Sequence, residues 1–149
     1  MQSATRRTVV AFLALVCLTI GLAAPAEGAG GRPFSMALTG EAEVNAAGVF
    51  NQGDLDGVGA ATLRINPGLG EVCWTITVSG VEPILAAHIH VAPSTAPGPI
   101  VVPLEPYSGG CTDVTRELAR QIIKNPSAYY VNVLNAPFPP GALRGQLSR

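Results

Sequence analysis

Ala61-Thr62-Leu63-Arg64-Ile65-Asn66-Pro67-Gly68-Leu69-Gly70-Glu71-Val72-Cys73-Trp74-Thr75-Ile76-Thr77-Val78-Ser79 is the stretch that decides the fold. Ala61, Leu63 and Ile65 alternate with Thr62 and Arg64, the period-two pattern of a strand with one buried face. Past the turn, Val72, Trp74, Ile76 and Val78 face one way, while Cys73, Thr75, Thr77 and Ser79 face the other. Between the two runs Pro67 presets φ, and Gly68 and Gly70 tolerate positive φ. The two runs and their turn predict a β-hairpin.

Working outward, residues 34–39 read as a first strand, 86–91 and 100–102 as further short strands, and 128–134 and 142–147 as closing strands. A Pro/Gly-rich loop over 137–141 joins the last two. Val114, Leu118 and Ile122 recur at helical spacing, with Asp113 in position to cap and Pro126 to stop the run. One short helix near residues 113–124 is therefore expected. With 17 glycines, 13 prolines and only short apolar runs, the chain is all-β rather than a helical bundle. Short strands with one small helix point to a two-sheet Greek-key sandwich over residues 34–149.

Residues 1–26 read as a secretory signal peptide. Arg6 and Arg7 supply the positive start, residues 9–22 are nearly all apolar, and Ala24-Pro25-Ala26 offers small residues for cleavage. An apolar run of about 15 residues falls short of the ~20 a membrane-spanning helix needs. No membrane span is expected after cleavage, and a linker occupies 27–33. Cleavage removes Cys17 and leaves Cys73 and Cys111 as an even pair in an oxidising compartment, most simply a disulfide. Removing Arg6 and Arg7 from nine Lys and Arg leaves seven against ten Asp and Glu, a net charge of −3. A mildly acidic surface without a basic cluster argues against nucleic acid or an anionic membrane as partner.

Both histidines lie in Ala87-His88-Ile89-His90-Val91. On a strand His88 and His90 project from one side, and Ala87, Ile89 and Val91 point into a core. The pair reads as polar residues bonded to backbone or to the 129–132 strand, with a copper or zinc site as the alternative. Such a site needs three or four ligands, and the chain has no third histidine. Asp54-Leu55-Asp56-Gly57 reads as a turn in which aspartates bond their own backbone, with the start of a calcium loop as the alternative.

Neither a Gly-x-Ser-x-Gly elbow nor a serine partner for the histidines supports nucleophilic catalysis. Glu41 and Glu43 are expected at a solvated edge. Arg144 is a candidate buried, paired charge at the mouth of the sandwich, with surface exposure as the alternative. Of Tyr129 and Tyr130, one is expected in the core and one at the rim.

Six segments, in order, resemble a CHRD domain, the module repeated in chordin and found singly in exported bacterial proteins. They are Gly53-Asp54-Leu55-Asp56-Gly57-Val58-Gly59-Ala60-Ala61-Thr62-Leu63; Gly70-Glu71-Val72-Cys73-Trp74 with Val78-Ser79-Gly80; Ala87-His88-Ile89-His90; Gly98-Pro99-Ile100-Val101-Val102; Asn125-Pro126-Ser127-Ala128-Tyr129-Tyr130-Val131-Asn132-Val133; and Gly141-Ala142-Leu143-Arg144-Gly145-Gln146-Leu147. The resemblance implies a β-sandwich or barrel of immunoglobulin or superoxide-dismutase-like shape, and in chordin the context is binding of secreted growth factors. Two departures stand out. Val91-Ala92-Pro93 replaces the family's Gly-rich continuation, and Leu134-Asn135 replaces a frequent His-Thr pair, so a histidine that would complete a metal site is missing. The combined expectation is a secreted or envelope-associated, non-enzymatic binding domain. It has no cofactor and no catalytic residues, its partner is an unknown protein or envelope component, and copper or zinc at His88 and His90 is the alternative.

Overall fold

Asn66 organises the central hairpin. Its side-chain oxygen accepts from Gly68 N and Leu69 N, and its carbonyl accepts from Gly70 N at 2.8 Å, with Gly70 at φ +74°. A side chain with a Cβ is strained at that φ, so the glycine lets the chain reverse within four residues. The structure, a computed structural model, describes residues 30–149. The expected signal segment and the start of the linker lie outside the described residues.

The strands are β1 (Arg32–Thr39), β2 (Val58–Asn66), β3 (Glu71–Ser79), β4 (Ala86–Val91), β5 (Ile100–Pro103), β6 (Gly109–Asp113), β7 (Tyr129–Leu134) and β8 (Leu143–Gln146), with one helix, α1 (Arg116–Lys124). The predicted hairpin is β2–β3, paired from Val58↔Ser79 to Asn66↔Glu71. β1 begins inside the expected linker, because Arg32 and Pro33 pair with Ile65 and Arg64.

All eight strands join one antiparallel sheet in the order β5-β4-β7-β8-β1-β2-β3-β6. The all-β expectation holds, and the hydrogen-bonded ladder is one continuous curled sheet rather than a visible division into the two sheets of a Greek-key sandwich. Its weakest link is β1–β8, which share the single pair Thr39↔Arg144. At that seam the strands approach so closely that a Cβ on Gly145 would lie 2.3 Å from Ala37 O, which only glycine tolerates. The sheet curls so that the inward residues of both halves meet in one core. Phe34, Leu63, Val72 and Trp74 come from one half, and Ala87, Ile89, Val131 and Leu143 from the other.

Trp74 packs into this core as its alternation predicted, and its indole donates to Pro106 O at 3.1 Å. Cys73 and Cys111 form the expected disulfide, closing a separation of 38 residues. Cys111 stands opposite Cys73 on β6. That strand escaped the pattern reading because Gly109-Gly110-Cys111-Thr112-Asp113 carries no apolar alternation. The helix also starts later than expected: Asp113 ends β6, and Thr115 caps α1 by accepting from Leu118 N. The helix buries Ala119 and Ile122 against the core.

Candidate functional site

The two faces of the sheet are treated differently in its two halves. On β2 and β3 the outward residues Thr62, Arg64, Thr75 and Thr77 meet solvent. On β4, β7 and β8 the outward residues are polar too, yet most are buried. His88, Asn132 and Arg144 stand in one row across the three strands, and His90, Tyr130 and Gln146 in the next. Asn132 and Arg144 are each only 1% exposed, because segments without regular structure lie over them.

Hydrogen bonds from this polar layer hold those segments. Arg144 donates to Pro93 O at 2.8 Å, Ala96 O at 3.1 Å and Gln146 Oε1 at 3.1 Å. Gln146 Nε2 donates to Ala92 O and Ser127 O, both at 2.9 Å. His90 Nδ1 donates to Gly98 O at 2.8 Å, and Gly98 N donates to the Tyr130 hydroxyl at 3.2 Å. Asn132 Nδ2 donates to Pro140 O, which turns its Oδ1 toward His90 Nε2, 3.0 Å away. The Tyr130 ring lies between a parallel His90 ring, 4.7 Å between centroids, and the Arg144 guanidinium, 3.5 Å from the centroid. A desolvated cation on a tyrosine face contributes about 2 kcal/mol.

His90 thus meets a backbone carbonyl and Asn132, with neither ring nitrogen open to a further ligand. His88 lies edge-on to it at 5.6 Å, and its buried Nδ1 has no hydrogen-bond partner. Burial, then the neighbouring His90, holds the His88 pKa below its ordinary value, against opposing effects from Glu105 and Asn132. Among the described residues, the metal-ligand-type atoms that gather within 4.8 Å belong to Glu71, Cys73 and Cys111, whose cysteines are disulfide-bonded. At Asp54-Leu55-Asp56-Gly57 the structure has the backbone-bonded turn, with Asp56 N donating to Asp54 Oδ1 at 3.2 Å and Asp54 N to Ala142 O at 2.8 Å.

Three residues differ from their sequence expectation. Arg144 is buried as suspected, but carbonyls and an aromatic face rather than a carboxylate in salt-bridge contact surround it. Tyr130 is as buried as the core residue Tyr129, not at a rim. Glu41 is solvent-exposed, whereas Glu43, expected beside it at a solvated edge, is 5% exposed with Oε1 lacking any partner. Burial raises the Glu43 pKa from 4.5 to about 7, overcoming the attraction of Arg144 and a bond from Asn132. Glu43 also lines a cavity of about 300 Å³ with Val44, Asn45, Ala46, Gln52, Pro97, Pro140 and Gly141, where the segments 40–53, 92–99 and 135–142 meet. Its isolation in an irregular segment gave no periodic signal.

The raised pKa has a definite sign. The fold favours protonated Glu43, so its contribution is fully present below pH 4.5 and is lost as pH rises through about 7. Glu43→Gln should therefore gain stability relative to the parent between pH 5 and pH 8, by up to ~3 kcal/mol. His88, with a lowered pKa, has the opposite slope below its ordinary 6.5, so parent and variant are compared by denaturant unfolding at each pH. Parallel stability–pH curves would show that Glu43 is not the buried titrating group.

The histidines, Tyr130, Asn132, Arg144 and Gln146 all fall in segments that carry the family resemblance. The family model of the CHRD domain matches residues 34–147. No curated protein and no solved structure matches the chain. Since that match spans most of the sequence, the chain belongs to the CHRD domain family.

Proposed function

We propose that the chain is an exported, non-enzymatic binding domain that engages a protein or another component of the cell envelope. Its contact surface is the loop cluster of residues 40–53, 92–99 and 135–142. The observation that carries this reading is the buried polar layer. Arg144, Gln146, His90, Tyr130 and Asn132 hydrogen-bond the backbone of residues 92–98 and Pro140, so those two loops meet a partner with little entropy left to lose. Loops displayed on a rigid sheet are the usual place for recognition. The Cys73–Cys111 disulfide suits an oxidising compartment. No helix among the described residues is long and apolar enough to cross a membrane. The acidic balance speaks against nucleic acid.

Fractionating the source cells tests both parts. The protein should be recovered outside the cytoplasmic membrane with Glu27 at its N-terminus, and should bind isolated envelopes saturably. Ala46→Arg with Pro97→Arg, both exposed, should weaken that binding at least tenfold while thermal unfolding is unchanged. Cytoplasmic retention with Met1 in place contradicts export, and undiminished binding by the variant contradicts the loop surface.

The unpartnered Nδ1 of His88 beside His90 favours one second reading, a copper or zinc centre at the pair. It requires His90 to release Asn132 or Gly98. On the binding-domain reading, untagged protein after dialysis holds copper and zinc at background, and His88→Gln with His90→Gln changes nothing in metal content. Near-stoichiometric metal lost in the double variant would establish the second reading, because glutamine is a poor metal ligand.

A further inference from the structure

The cavity at Glu43 holds a buried carboxyl with one oxygen, Oε1, short of a donor. Glu43 is 5% exposed, its Oε1 has no partner, and it lines the cavity of about 300 Å³. The other polar side chains of the lining are engaged elsewhere. Asn45 Nδ2 donates to Gln52 Oε1, Asn45 Oδ1 accepts from Ala47 N and Val49 N, and Gln52 Nε2 donates to Phe50 O. Asn132, behind the cavity, donates to Pro140 O and also bonds the Glu43 carboxyl, leaving Oε1 as the unpartnered oxygen. What remains of the lining is largely apolar or backbone: Val44, Ala46, Pro97, Pro140 and Gly141.

We propose that this cavity takes a primary ammonium group on an aliphatic stem, with the Glu43 carboxylate as its acceptor and the valine, alanine and proline side chains as walls for the stem. This rests on the loop cluster being the binding surface, and names the chemistry that surface recognises. A neutral donor satisfies the oxygen but not the charge. Arg144, the cation whose charge acts on Glu43, commits its guanidinium to two carbonyls, Gln146 and the Tyr130 ring. Its attraction is outweighed by burial, so the carboxyl stays near pKa 7 without a full counter-charge. An ammonium supplies that charge together with N–H donors, and charge-assisted hydrogen bonds are the stronger kind. Anions are disfavoured, because they would meet the carboxyl and the lining holds no cationic side chain. The nine Asp and Glu against seven Lys and Arg over residues 30–149 also favour a cationic ligand.

A free alkylamine and a lysine side chain share this chemistry, and the test separates them. Amide chemical shifts of the folded protein are followed during titration with n-butylammonium, with N-acetyl-lysine amide, and with n-butanol and tetramethylammonium as controls. n-Butylammonium should shift Val44, Gln52 and Gly141 saturably, with each control at least tenfold weaker. Lysine amide binding within tenfold of n-butylammonium assigns the site to a lysine of a partner protein, and weaker binding assigns it to free amines. Glu43→Gln should weaken n-butylammonium at least tenfold. Ala46→Trp, which fills the mouth from an exposed position, should do the same even where Glu43→Gln does not fold. An equal response to n-butanol or tetramethylammonium, an undiminished response in either folded variant, or no saturable response overturns the ammonium site. Absence of n-butylammonium binding by the parent, with envelope binding intact, would overturn this site alone. Loop variants that leave envelope binding unchanged would overturn the surface on which it rests.

Discussion

The guanidinium of Arg144 is the constraint around which this domain is arranged. A cation 1% exposed is tolerable only when its surroundings replace the lost water. Here Pro93 O, Ala96 O and Gln146 Oε1 accept from it, and the Tyr130 ring covers it. The same residue stands opposite Thr39 at the one pair that joins the two halves of the sheet. Arg144 therefore sits at the seam of the fold and also ties down the loop that covers the polar face. Truncating it leaves the Pro93 and Ala96 carbonyls, both in part-buried contacts, short of a donor, at a cost of about 1 kcal/mol each.

The fold was legible where side chains alternate. The β2–β3 hairpin, its Asn66–Gly70 turn, the buried Trp74 and the Cys73–Cys111 pair follow from period-two patterning and cysteine arithmetic. β6 was not legible, since its glycines and threonine pack by pairing with β3 rather than by apolar alternation. The start of α1 shifted from Asp113 to Thr115 because Asp113 is claimed by the ladder with Glu71. A continuous sheet in place of two depends on one close approach at Gly145, which no local pattern announces.

The candidate site was half legible, for a similar reason. Polar residues at two-residue spacing in three segments (His88 and His90, Tyr130 and Asn132, Arg144 and Gln146) are visible in the sequence as a polar face. Alternation reports which face a residue takes, but not whether that face is covered. The cover comes from residues 40–53, 92–99 and 135–142, of which the last two are held by hydrogen bonds to the polar layer. Glu43 is the clearest case: within a loop it reads as a solvated acid, and only the packing of Gly141 and Asn132 beside it makes it a buried carboxyl. In this CHRD domain, then, a buried polar layer lies beneath loops that it helps to hold.

Native-state hydrogen exchange tests that central claim most directly. In the parent, the amides of Ala96 and Gly98, bonded to Pro93 O and the Tyr130 hydroxyl, should exchange slowly. Arg144→Met keeps bulk but removes every donor. It should bring Ala96 and Gly98 at least a hundredfold closer to free exchange, about 3 kcal/mol of local opening, while the β2–β3 amides stay protected. Loop amides that remain as protected in Arg144→Met as in the parent, with the hairpin intact, would contradict the account.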